Sequence, residues 1–137
     1  MIFLDTSILS LAYRRRRGFG PEPGTVSILR KMILEDVPLA IPGIVLQEIL
    51  SEVRTEAQFG KLQRLLEAFP IISAEPQHHV LAARIANACR RKGVAASTID
   101  CLIAAIATSS DAFLFTLDED FGRMAPVCGV KLFRGRS

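Results

Sequence analysis

Short apolar runs recur along this chain at residues 2–4, 39–41, 71–73, 112–117 and 130–133, with longer, helix-patterned segments between them. Runs this short and this apolar suit strands buried on both faces of a sheet. The intervening periodicity predicts helices over residues 6–13, 25–35, 43–54, 56–69, 77–92 and 97–109, and a single helical turn over 121–124. In the second of these, Val26, Leu29 and Ile33 share one face; Gly93 follows the fifth as a helix-ending residue. The segment 14–24, rich in arginine, glycine and proline, reads as a loop. Strands alternating with helices define an α/β fold with a mainly parallel central sheet flanked by helices. In open sheets of this kind, ligands bind beyond the carboxyl ends of the strands, where the strand order reverses. Asp5 and Asp118 each stand directly after an apolar run, so they are the first residues that rule points to.

At 137 residues, half of them hydrophobic, the chain fits one compact domain over 1–137 that needs no disulfide or structural metal. Cys89, Cys101 and Cys128 are odd in number and unpatterned in spacing, which suits free thiols in a reducing compartment. Cys101, inside the apolar segment 97–109, reads as a small buried hydrophobe. The uncharged stretches are too short to span a bilayer, and Asp5 interrupts the apolar start. The expectation is a soluble, cytoplasmic protein. Net charge is +3, an ordinary value, but the acids are not evenly placed. With four of them gathered in one pocket, a basic surface surrounds an acidic hole, and arginine dominates that surface.

Four carboxylates stand out, and each has a purely structural explanation beside the functional one. Asp5 fits a helix N-cap. Glu48 lies where the apolar stripe of Ile44 and Val45 gives way to Ser51 and Glu52, so it is either partly buried with a partner or solvated. Asp100 is the only charged residue between Lys92 and Asp111, and Ser97-Thr98-Ile99-Asp100 fits a capping box. Asp118 opens Asp118-Glu119-Asp120, a cluster the helix dipole favours. Taken together, the four are expected to converge on one edge of the sheet. Carboxylates crowded into a small pocket need a cation, and oxygen-only ligation points to Mg²⁺ or Mn²⁺. Such an ion supports phosphoryl chemistry through an activated water.

The segments LDTS (4–7), IVLQEIL (44–50), STIDCLIAAIA (97–107) and TLDEDF (116–121) resemble the four characteristic blocks of PIN-domain nucleases, in order and over essentially the whole chain. The similarity is greatest to VapC-type toxins of toxin–antitoxin pairs. The resemblance implies a PIN-like three-layer sandwich and Mg²⁺- or Mn²⁺-dependent endoribonuclease activity leaving 5′-phosphate and 3′-hydroxyl ends. It makes Asp5, Glu48, Asp100 and Asp118 the catalytic, metal-binding acids. Thr6, Ser7 and Thr116 would orient carboxylates or waters, and Asp120 would be an auxiliary ligand. It further implies an RNA substrate, a homodimer and a small antitoxin that covers the groove. The arginine run and its glycine/proline loop depart from the family pattern.

Arg14, Arg15, Arg16 and Arg17 suit RNA phosphates or an acidic partner segment as well as a solvated loop. His78 and His79 point to different helix faces, which argues against a shared chemical role. Two other functions keep the PIN fold: a housekeeping RNA-processing nuclease, and an inactive module serving as a binding scaffold. A strand-end aspartate also serves phosphatases and phosphoacceptor domains. The former want a second aspartate two residues on, where this chain has Ser7; the latter want an acidic pair after the first strand, where Asp5 stands alone.

Overall fold

The computed structural model describes residues 1–16 and 24–135, with the side chains of Arg15 and Arg16 excepted. Its strands are β1 (Ile2–Leu4), β2 (Leu39–Pro42), β3 (Ile71–Ile72), β4 (Phe113–Phe115) and β5 (Lys131–Leu132). They form one sheet in the order β3-β2-β1-β4-β5, and every pairing is parallel. β1 registers Ile2 against Leu39 on one side and against Phe113 on the other.

The helices are α1 (Thr6–Arg16), α2 (Gly24–Leu34), α3 (Gly43–Ser51), α4 (Glu56–Leu66), α5 (Pro76–Arg91), α6 (Thr98–Ser109) and α7 (Glu119–Cys128). The chain moves outward from β1 through β2 to β3, then returns to β4 and β5 on the opposite side. Right-handed crossovers therefore place α1–α4 on one face of the sheet and α5–α7 on the other. The packing agrees: α1 contacts α2 and α3, α3 contacts α4, and α5 contacts α6 and α7. The sequence of each central element explains its depth. Phe3, Leu4, Ile41 and Leu114 are fully buried, and so is the stretch of α6 from Ile103 to Ala107. Each large side chain buried in this way contributes about 1.5–3 kcal/mol.

Several boundaries differ from expectation. α1 continues through Arg16, where a loop was expected from residue 14; arginine is a good helix former and favours a helix C-terminus. Arg17 and the rest of that segment up to residue 23 lie outside the described residues. In α2 the buried face is Val26, Leu29 and Met32, while Ile33 is 46% exposed. β4 stops at Phe115, because the Thr116 side chain and backbone turn to the site described below. α7 runs from Glu119 to Cys128 where a single turn was expected. Gly122 and Pro126 disguise it, but buried Phe121 and Met124 hold it to the sheet. Gly129, at φ +78°, then ends it in the left-handed conformation. All three cysteines are free, with Cys89 and Cys101 buried.

Candidate active site

Asp5 and Asp118 follow β1 and β4, the adjacent strands at which the order of the sheet reverses. Both therefore open onto the same crevice. Asp5 is 5% exposed, one of two polar residues buried in the core among the described residues. The Thr116 hydroxyl donates to its Oδ2 at 2.6 Å and the Ser7 hydroxyl donates to the same oxygen at 3.0 Å. Each hydroxyl has one proton, and both are directed at Asp5. The 3.3 Å approach of Ser7 to Thr116 is thus a contact between two acceptors. As acceptors the two hydroxyls are also engaged: Ser7 takes the Leu117 N–H at 2.9 Å, and Thr116 takes the Asp118 N–H at 3.0 Å. Asp5 does not cap α1 in any of these bonds. Its Oδ2 is fixed by Ser7 of α1 and by Thr116 of the loop after β4.

Asp118 serves two purposes. It is the N-cap of α7, its Oδ1 accepting the Asp120 N–H at 2.9 Å. This cap turns the chain sharply, while fully buried Phe121 anchors the next residue. Asp120 is thereby brought back to the same point, where it also pairs with Arg123. Asp100 arrives from α6, whose first turn is fixed by Ser97 accepting the Asp100 N–H at 3.0 Å. Carboxylate oxygens of Asp100, Asp118 and Asp120 lie within 4.8 Å of one another. Burial pushes the Asp100 carboxyl up to about 6, and the charges of Asp118, Asp5 and Asp120 push the same way against the Ser97 hydroxyl. The proton is held there because a further negative charge has nowhere to disperse.

Glu48, from α3, accepts the Thr6 hydroxyl at 2.9 Å and is half-buried. It therefore has a partner, but its carboxylate is not part of the three-acid group. Sequence reasoning underweighted Asp120: the acid two residues beyond Asp118 looked like ordinary helix-start composition, and only the N-cap turn brings it inward. Ser10, 9% exposed, and its acceptor Glu52 were not singled out at all. Their spacing to Thr6 and Glu48, four residues in each case, was the available signal. Arg14 is exposed at the end of α1, on a cavity beside Glu52. His78 is structural: its Nδ1 accepts the Glu75 N–H at 2.8 Å in a capping box at the start of α5.

Residues 2–126 match the family model of the PIN domain. The chain belongs to the PIN-domain family. Solved structures similar to this PIN domain include VapBC2 from Rickettsia felis, bound to a DNA fragment from its promoter. The two share 22% identity, cover 97% of this chain and 98% of that one, and superpose with a TM-score of 0.77. FitAcB from Neisseria gonorrhoeae is 22% identical, with 98% and 97% covered and a TM-score of 0.75. VapC20 of Mycobacterium tuberculosis, a toxin that cleaves the sarcin–ricin loop, is 15% identical, with 90% and 94% covered and a TM-score of 0.63. No curated protein matches this sequence. Among the described residues, no helix is long and apolar enough to cross a membrane.

Proposed function

We propose that this PIN domain, a single domain over 1–137, is a divalent-metal-dependent endoribonuclease and the toxin of a toxin–antitoxin pair, acting in the cytoplasm as a homodimer. The observation that carries the reading is the meeting of Asp100, Asp118 and Asp120 within 4.8 Å, beside an Asp5 whose Oδ2 accepts from two hydroxyls. The donor set is all carboxylate oxygen, so it fits a hard ion, Mg²⁺ or Mn²⁺, and offers nothing to a soft one. Asp5, Asp100, Asp118 and Glu48 would hold the ion in this reading, with Asp120 joining them. The ion would neutralise the cluster, polarise a phosphodiester and lower the pKa of a bound water. Thr116 and Ser7 hold the Asp5 carboxylate in place. Thr6 does the same for Glu48, and Ser97 fixes the direction of Asp100.

A protein partner is supported by a second feature. Between α1, α2 and α4 lies an apolar groove of about 410 Å³, walled by Leu9, Val26, Leu29, Ile33, Leu65 and Phe69. Ile33 and Leu34, 46% and 77% exposed, are left uncovered there. The similar structures from R. felis and Haemophilus influenzae are VapBC complexes, which is the form an antitoxin-bound toxin takes. The decisive experiment is sequencing of RNA ends after brief induction of wild type and Asp100→Asn. New 5′-phosphate ends at a few sites, absent from the variant and suppressed by EDTA in vitro, are expected. Identical ends in both strains would leave a binding scaffold. Cleavage that persists at constant rate through normal growth, with no small partner co-purifying, would indicate RNA processing instead.

A further inference from the structure

The Thr6–Glu48 bond has a counterpart one turn further along the same two helices. Ser10 donates to Glu52 Oε2 at 2.8 Å, and the members of both pairs are 42 residues apart. α1 and α3 each follow a strand of one parallel sheet, so they run side by side in one direction and a fixed offset recurs at i+4. Beside the second pair is a cavity of about 480 Å³ whose lining includes Ser10, Tyr13, Arg14, Glu52, Arg54 and Gln58. Glu52 stands one turn of α3, about 5.4 Å, beyond Glu48. That rise is close to the reach of one nucleotide along an extended strand.

The chemistry of the walls is divided. Among the described residues neither Arg14 nor Arg54 makes an ion pair, and their planar forks suit a phosphate. Glu52 would repel a phosphate, so it faces the other end of any nucleotide bound there. Ser10 occupies one lone pair of Oε2, leaving the other lone pair of that oxygen and both of Oε1 to accept. Tyr13, half-buried, offers a ring against which a base can stack. Among the bases, guanine alone presents two adjacent donors, N1–H and N2–H, on its Watson–Crick edge. Adenine and cytosine place an acceptor next to their amino donor, and uracil flanks its single donor with two acceptors.

We propose that this cavity binds the nucleotide next to the cleaved phosphate and prefers guanine, with Arg14 and Arg54 on its phosphate, Tyr13 against its base and Glu52 reading its donor edge. The proposal rests on the ribonuclease reading above and adds a base preference to it. Glu52 and Arg54 are both exposed, so substituting them opens no core.

The test compares wild type, Glu52→Gln and Arg54→Ala on a randomised RNA nonamer pool with Mn²⁺, followed by sequencing of the products. Binding of a fluorescent guanine-containing nonamer is measured in parallel in EDTA, where cleavage is off. Wild type is expected to place guanine at a fixed position beside the cut. Glu52→Gln should weaken that preference about tenfold, because an amide puts a donor where guanine needs an acceptor. Arg54→Ala should raise KM and lower the salt slope of nonamer binding by about 1. Should both variants choose bases and bind RNA as wild type does, while Asp100→Asn alone stops cleavage, the subsite is overturned and the nuclease stands. If wild type cuts no RNA, the EDTA binding still decides: an unchanged affinity and salt slope in Arg54→Ala sinks the subsite. Effects confined to the binding of a protein partner sink it as well.

Discussion

Asp5 and Asp100 are the same side chain on two walls of one crevice, and the fold treats them in opposite ways. Asp5 is nearly buried, yet two hydroxyls donate to it, and their own lone pairs are filled by backbone N–H groups of the β4–α7 loop. The protein supplies the hydrogen bonds of that carboxyl group itself. Asp100 is half-buried with two carboxylates close by, and its proton is held up to about 6. Among the described residues, the Ser97 hydroxyl alone acts against that rise. One wall is thus a carboxyl group with its hydrogen bonds already supplied, and the other carries an electrostatic deficit that an added cation would relieve. A site for a hard ion needs both: a fixed ligand to set the position, and an uncompensated group to supply affinity.

The comparison breaks most sharply at Asp100. Asp100→Asn removes the uncompensated charge, and metal-dependent RNA cleavage is expected to fall to background. Melted without metal at pH 7.5, the same variant should be more stable than wild type, since the amide takes no ionised charge into the cluster. Activity at wild-type level, or a lower melting temperature, would show that Asp100 is not under the strain assigned to it.

Thr116→Val tests the opposite wall. It removes the shorter donor to a buried carboxylate and should cost about 1–3 kcal/mol in denaturant unfolding. Cleavage should fall about 10–100-fold, as when a group orienting a metal ligand is lost. An unchanged denaturation midpoint would mean Asp5 is satisfied otherwise. Thr6→Val repeats the experiment on Glu48, which is less buried and outside the three-acid group. The expected loss of cleavage is near the lower end of that range, about tenfold, with little change in stability.

The pH dependence separates the two walls without mutation. Asp100 holds its proton to about 6 rather than 3.8, so between those values the folded chain binds more protons than the unfolded one. Stability of the metal-free protein therefore falls as pH rises through that window. Mg²⁺ or Mn²⁺ should raise the melting temperature more at pH 7.5 than at pH 5. An equal shift at both would remove the link between crowding and metal affinity. The smallest effect is expected far from the site: His78→Ala loses one arm of a helix cap, about 1 kcal/mol, with cleavage unaltered.

Much of this was legible because it is written in short-range pattern. Residues 2–4 and 113–115 are apolar enough to be strands by themselves, and the carboxylates that end them follow at once. Ser97 and Asp100 announce their cap by spacing alone. The length of α7 was not legible, since Gly122 and Pro126 are unfavourable in a helix and only the burial of Phe121 and Met124 outweighs them. Nor was the exposure of Ile33, because helical periodicity cannot say which of two neighbouring apolar residues, Met32 or Ile33, meets the core.

The sequence alone settled the alternation of strand and helix and the family, because apolar spacing and local caps act within a few residues. The tertiary structure decided which acids share a point. Asp120 joins Asp100 and Asp118 only because a cap folds the chain back, and Glu48 stays at one remove because its helix meets α1 through Thr6. Distances between side chains far apart in the chain follow from packing, which no local pattern encodes.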